Sequence, residues 1–187
     1  MDQNRVAIVI GLLVIAFIVA AAIAFVTSRK RRRLQLRQRF GPEYDRVLKQ
    51  EGDPRKAEGV LEFRQKHRGK FKVHPLSASD RSNFAVRWND VQARFVDDPR
   101  GAATVADSLV TDVMQARGYP IGEFHQRAAD LSVDYPLIVD NYRAAHDIAL
   151  RHGEGKASTE ELRQAMVHYR LLFQELLEEG RAQRKGA

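Results

Sequence analysis

The apolar positions along the chain fall into two regimes. Between Val6 and Val26 the sequence reads VAIVIGLLVIAFIVAAAIAFV, 21 residues without a charge or a proline. Such a run has no polar face to turn toward water, and at 1.5 Å per residue it covers a hydrocarbon core of about 30 Å. It predicts an uncleaved transmembrane helix over 6–26. A signal peptide would carry its charges ahead of a shorter apolar stretch, whereas here they follow it. Beyond Phe40 the apolar positions recur every three or four residues. No alternating run bounded by hairpin turns occurs, so the pattern predicts helices throughout.

Punctuation sets the helix ends. Phe40-Gly41-Pro42 stops one helix and starts a short one reaching Gln50. Asp53-Pro54 caps and opens another, to His67, and GKFKVHPL over 69–76 is a connector. Ser77 with Asp80 reads as a capping box before a helix that aligns Phe84, Trp88, Val91 and Phe95. Asp98-Pro99 opens the next, with Ala102, Val105, Ala106, Leu109, Val113 and Met114 as its stripe and Gly118 at its end. A shorter helix carries Phe124, Ala128 and Leu131. Tyr135-Pro136 then begins one with Ile138, Tyr142, Ala145 and Ala149 inward, ended by Gly153 and Gly155. Ser158 and Glu161 form a second capping box, and the stripe from Leu162 to Leu177 is the widest, closed by Gly180.

The predicted fold is all-α: an N-terminal transmembrane helix, a basic helical spacer and an antiparallel helical bundle. The divisions are 1–28 for a short outer tail and the span, and 29–41 for a basic juxtamembrane helix. The spacer follows over 42–76, the bundle over 77–180 and a frayed tail over 181–187. The pattern leaves two places for the spacer, along the headgroups or against the bundle.

Charge sharpens this picture. The net charge of +7 and a pI near 9.9 would raise nucleic acid as a partner. Yet residues 1–39 hold eight bases and one acid, while residues 40–187 hold 23 of each. The whole excess therefore lies in the N-terminal arm, at Arg5 and at Arg29, Lys30, Arg31, Arg32, Arg33, Arg37 and Arg39. By the positive-inside rule the flank after the span is cytoplasmic and the N-terminus lies outside. Anionic headgroups would attract the seven bases from Arg29 to Arg39 at about 1 kcal/mol per base near the surface. Binding nucleic acid would require these bases to leave the headgroups, which makes it the weaker reading. Within the span, Ala16, Ala20 and Ala24 repeat every four residues, a spacing that lets two membrane helices approach for self-association.

Candidate chemistry is sparse. There is no cysteine, which excludes disulfides, thiol nucleophiles and cysteine-ligated metal. Glycine-rich phosphate loops and nucleophile elbows are missing from the sequence. His146-Asp147 with His125 resembles part of the metal set of HD-type phosphohydrolases, but no aspartate follows Asp147 to complete it. Glu160 and Glu161 could stand in, though both fall in a first helical turn, where acids favour the dipole. His168 could act as a base, and beside the inward stripe it is better explained as a hydrogen-bonded structural residue. Asp130, Asp134, Asp140 and Asp147 could pair as carboxylates, for which a solvated acidic face is the plainer account. Trp88, Phe84 and Phe95 sit at helical spacing and belong to a core rather than a base-stacking platform. The sequence therefore assigns no catalytic residue, no cofactor and no metal, with His125, His146 and Asp147 the nearest approach to a site.

The segments VQARFVDDP, ARGYP, QRAADLSVDYP, NYRAAH and STEELRQAMVHYRLLF resemble an uncharacterised family of bacterial proteins over residues 80–177. Members have one N-terminal membrane segment and a helical C-terminal region, with no assigned activity. The resemblance implies a bacterial inner-membrane protein and carries over no site residue. The expected function is a membrane-tethered cytoplasmic helical domain that binds a protein partner or scaffolds one. A metal-dependent hydrolase and a nucleic-acid binder using the basic arm are the alternatives.

Overall fold

A computed structural model describes residues 2–153 and 156–178; within the first helix the side chains of residues 2–12 and 14 lie outside the described set. Among the described residues the fold is all-helical, with eight helices and no strand. The first, α1, runs unbroken from Asp2 to Phe40, 39 residues or roughly 58 Å. The apolar segment and the basic segment that follows it are thus one rod. No glycine or proline lies between Leu12 and Phe40 to interrupt it. Among the described residues no helix is long and apolar enough to cross a membrane. The predicted span falls in part on residues 6–12 and 14, outside the described side chains.

α2 (Pro42–Glu51) and α3 (Pro54–Arg68) form a helical hairpin. Gly41 turns the chain at φ +47°, and Pro42 suits the first turn because its missing N–H would have no helical partner anyway. Asp53 caps α3 by accepting from the N–H groups of Arg55 and Lys56. α4 (Ala78–Arg94), α5 (Pro99–Ala116), α6 (Phe124–Asp134), α7 (Val139–Gly153) and α8 (Thr159–Leu177) make the bundle. The main pairings are α7 on α8, α5 on α8 and α4 on α5. The capping box at Ser158 and Glu161 forms in full, and Ser77 caps α4 through the N–H of Asp80. α7 starts at Val139, later than the Tyr135-Pro136 signal, because residues 136–138 form a turn first. The predicted stops at Gly155 and Gly180, and the tail at 181–187, lie outside the described residues.

Burial divides into two apolar clusters. The larger gathers the stripes of α4, α5, α7 and α8 around Leu109, Val113, Tyr142, Leu162, Tyr169 and Phe173. Trp88 is in it, stacked on Phe173 with ring centroids 4.6 Å apart, so the aromatic row is core. The smaller joins Leu36 and Phe40 of α1, Tyr44 and Val47 of α2, Ala57 and Leu61 of α3, and Val133 of α6. α6 faces both clusters, since its Ala128 and Leu131 belong to the larger one. The spacer therefore docks on the bundle, and the end of α1 is part of the same folded body.

Candidate functional site

Between the two clusters lies a polar seam, and it takes up Arg46, Arg64, His67 and Arg68 of the spacer. Glu43 is fully buried and accepts from two arginines. Arg64 Nη1 lies 2.5 Å from its Oε1, while Arg143 reaches both oxygens at 2.7 and 2.8 Å. Arg64 also donates to Ser132, and Arg143 to Asp140. Further along, His67 Nδ1 lies 3.0 Å from buried Asp130, and Arg68 pairs with Asp134, which also accepts from the Tyr119 hydroxyl. Arg46 binds Asp140 at 2.8 Å. Burial disfavours the Arg143 cation, but hydrogen bonding and charge from Glu43, then Asp140, outweigh it and raise its pKa.

These pairings dispose of the carboxylate cluster suggested by the sequence. Asp130, Asp134 and Asp140 each meet a base of the spacer rather than one another, and Asp147 stays exposed and apart. Asp130 and Asp134 are withdrawn from solvent as docking contacts, whereas Asp140 and Asp147 stay exposed, as a solvated face would have them. The signal for these pairings was present only as the basic composition of residues 46–72 opposite acids 63 to 94 residues later, with nothing local to fix the partners.

The metal candidates sit around one aromatic ring. The His146 imidazole stacks on Phe124 with centroids 3.5 Å apart, and His125 meets the same ring edge-on at 5.7 Å. Burial holds the His146 pKa below the ordinary histidine value, against the opposing charges of Asp107 and Asp147. Among the described residues no three His, Cys, Asp or Glu side chains converge to hold a metal ion. His168 Nδ1 lies 2.8 Å from the carboxamide oxygen of Asn141, the structural role expected of it. Nearby, burial and then the Asp107 charge push the Tyr142 hydroxyl up to about 12, although Arg127 donates to it at 3.1 Å. A hydroxyl that acidifies so poorly is a core hydrogen-bonding group and a weak acid. Glu160 pairs with Arg163, and Glu161 with Ser158 and Arg151, both in helix-end roles.

The basic arm is divided in two by the fold. Arg32 binds Glu62, Arg33 binds Glu58 at 2.8 Å, and Arg37 binds Asp45 at 3.2 Å. These ion pairs connect α1 to α3 and α2, and the three arginine side chains stay more than half exposed. Their partners lie 8 to 30 residues away, beyond the reach of local sequence patterns. Lys30, Arg31 and Arg39 have no carboxylate partner among the described residues, and Arg29 lies over the Phe25 ring at 4.1 Å. Large apolar residues along α1, from Leu13 through Phe17 to Val26, are exposed and belong to none of the body's apolar clusters. A sequence reading also missed Arg117. It is buried at the end of α5, donating to the Tyr135 hydroxyl at 2.6 Å and to the Leu176 carbonyl at 2.9 Å.

The fold and this site together define an all-α protein whose long N-terminal helix is built into a helical body through a short apolar cluster and a row of ion pairs. No family model matches the chain, and neither does any curated protein or solved structure.

Proposed function

We propose that the chain is a single-pass anchor of a bacterial inner membrane that holds its helical body at the cytoplasmic surface as a protein-interaction or scaffold module. One observation carries the reading. α1 leaves the body as a bare apolar rod, with Leu13, Phe17, Ile18 and Ile23 each more than half exposed, while its other end is buried at Leu36 and Phe40. Apolar surface of that extent is unfavourable in water and matched to lipid. The 21-residue run over 6–26 has the length of a hydrocarbon core. The bases that remain unpaired after the fold forms, Lys30, Arg31 and Arg39, keep the charge asymmetry that sets a cytoplasmic flank.

The mechanism is tethering. Confinement to a surface raises effective concentration, so modest contacts on the body suffice for a partner in the same membrane. Ala16, Ala20 and Ala24 are exposed on α1 and offer the face on which a second copy would pack. The test is extraction of membranes at alkaline pH. The full chain stays in the pellet, and a variant lacking residues 1–28 is released; a full chain washed out with peripheral proteins would contradict the anchor.

A further inference from the structure

At the point where α1 passes from apolar to basic, it runs beside the first turns of α3. The two helices form a cavity of about 400 Å3, lined by the apolar Phe25 and Val26 together with the bases Arg29, Lys30, Arg33 and Arg55. Arg32, the acid Glu58 and Gly59 complete the lining. The lining thus holds five bases against one carboxylate. That carboxylate is committed, since Glu58 accepts from Arg33 Nε. Arg29, Lys30 and Arg55 have no carboxylate at ion-pair distance among the described residues. A side chain added at Gly59 would meet no atom within 4 Å, so the space above α3 is open.

We propose that this cavity binds the phosphodiester of one anionic phospholipid, with the acyl chains lying along Phe25 and Val26. Four guanidiniums and one ammonium line the concave opening, Arg32 and Arg33 being also paired with Glu62 and Glu58, and such a set matches a phosphate's oxygens, which take charge-assisted hydrogen bonds from several donors. The apolar Phe25 and Val26 select an amphiphile over a free anion. The inference rests on the membrane reading above and deepens it: the headgroup contact becomes a defined, one-to-one site rather than a diffuse attraction to a basic run.

The experiment is native mass spectrometry of the full chain in detergent micelles supplied with phosphatidylglycerol, phosphatidylcholine or inorganic phosphate. One phosphatidylglycerol per chain is retained, in preference to phosphatidylcholine. Arg55→Gln removes one donor and weakens retention about tenfold, the loss of one charge-assisted bond. Gly59→Leu keeps every charge and fills the space above α3, and it abolishes retention; a control, Lys49→Gln, leaves it unchanged. Retention insensitive to Gly59→Leu would overturn the cavity in favour of diffuse charge, with the anchor still standing. Equal binding of inorganic phosphate would overturn the lipid as occupant. Release of the full chain at alkaline pH would remove the anchor itself, whichever way the cavity behaves.

Discussion

Glu43 offers a sharp test of the seam. Its carboxylate is fully buried, yet it belongs to α2 and binds α3 through Arg64 and α7 through Arg143. Glu43→Gln preserves the volume and removes the charge, leaving two arginines that are themselves only 15% and 12% exposed. Removing one partner of a buried pair costs about 3–5 kcal/mol when the other charge is stranded. Here the stranding is partial, because Arg143 keeps Asp140 and Arg64 keeps Ser132. The expected loss is therefore near the lower end, about 3 kcal/mol. Replacing all three, Glu43→Leu with Arg64→Leu and Arg143→Leu, strands nothing and recovers most of that loss. The assay is urea unfolding of the full chain in micelles, followed by the fluorescence of Trp88, the sole tryptophan and a member of the larger cluster. Helix content by circular dichroism is followed in parallel. If spacer and bundle unfold together, both signals shift to lower urea. A Glu43→Gln loss under about 1 kcal/mol would refute the claim that the seam binds the two clusters into one body.

Phe40→Ala empties a fully buried site at the join of α1 and the body, at about 3–5 kcal/mol. Limited trypsin digestion then cuts after Arg37 and Arg39, which the parent resists. Gly118 has φ +88°, and a Cβ there would come within 2.4 Å of the Lys72 carbonyl oxygen, so Gly118→Ala lowers stability by about 2–3 kcal/mol in the same urea assay. His146 has a depressed pKa, so between the folded and ordinary values the unfolded chain binds more protons. Its contribution is complete above the ordinary value of 6.5 and is lost as pH falls through the lower folded value. A ring titration by NMR with a midpoint above 6.5 would contradict this. Glu161 is held down to about 2 by the Ser158 N–H, then Arg151, so its share persists until strongly acid pH and Glu161→Gln removes that share.

Helix existence and most ends were legible in the sequence because their causes are local. Proline after Asp53 and Asp98, and serine three residues before Asp80 and Glu161, act within one turn. The apolar stripes named most of the larger core, since helical periodicity fixes which face is buried, but they gave Ala149 in α7 where Ile148 is buried and left out Ala103 and Val110 of α5. What escaped was pairing between distant charges. Arg32, Arg33 and Arg37 look like a lipid-facing run because nothing nearby neutralises them, and only folding brings Glu62, Glu58 and Asp45 to them. Leu36 and Phe40 were likewise absorbed into a basic helix, although they are the apolar link between α1 and the body. Even the spacer's location depended on Glu43, Asp130 and Asp134, acids whose partners a linear reading cannot choose. The docking seam is long-range, and so is the basic cavity beside Gly59.

The most direct test of the membrane orientation uses the chain's lack of cysteine. Ser79→Cys places one thiol at an exposed position near the start of α4. Spheroplasts expressing this variant are treated with a membrane-impermeant maleimide, before and after lysis. An anchored chain with its body in the cytoplasm is labelled only after lysis and is found in the membrane fraction. Labelling of intact spheroplasts would place the body on the other side and contradict the orientation.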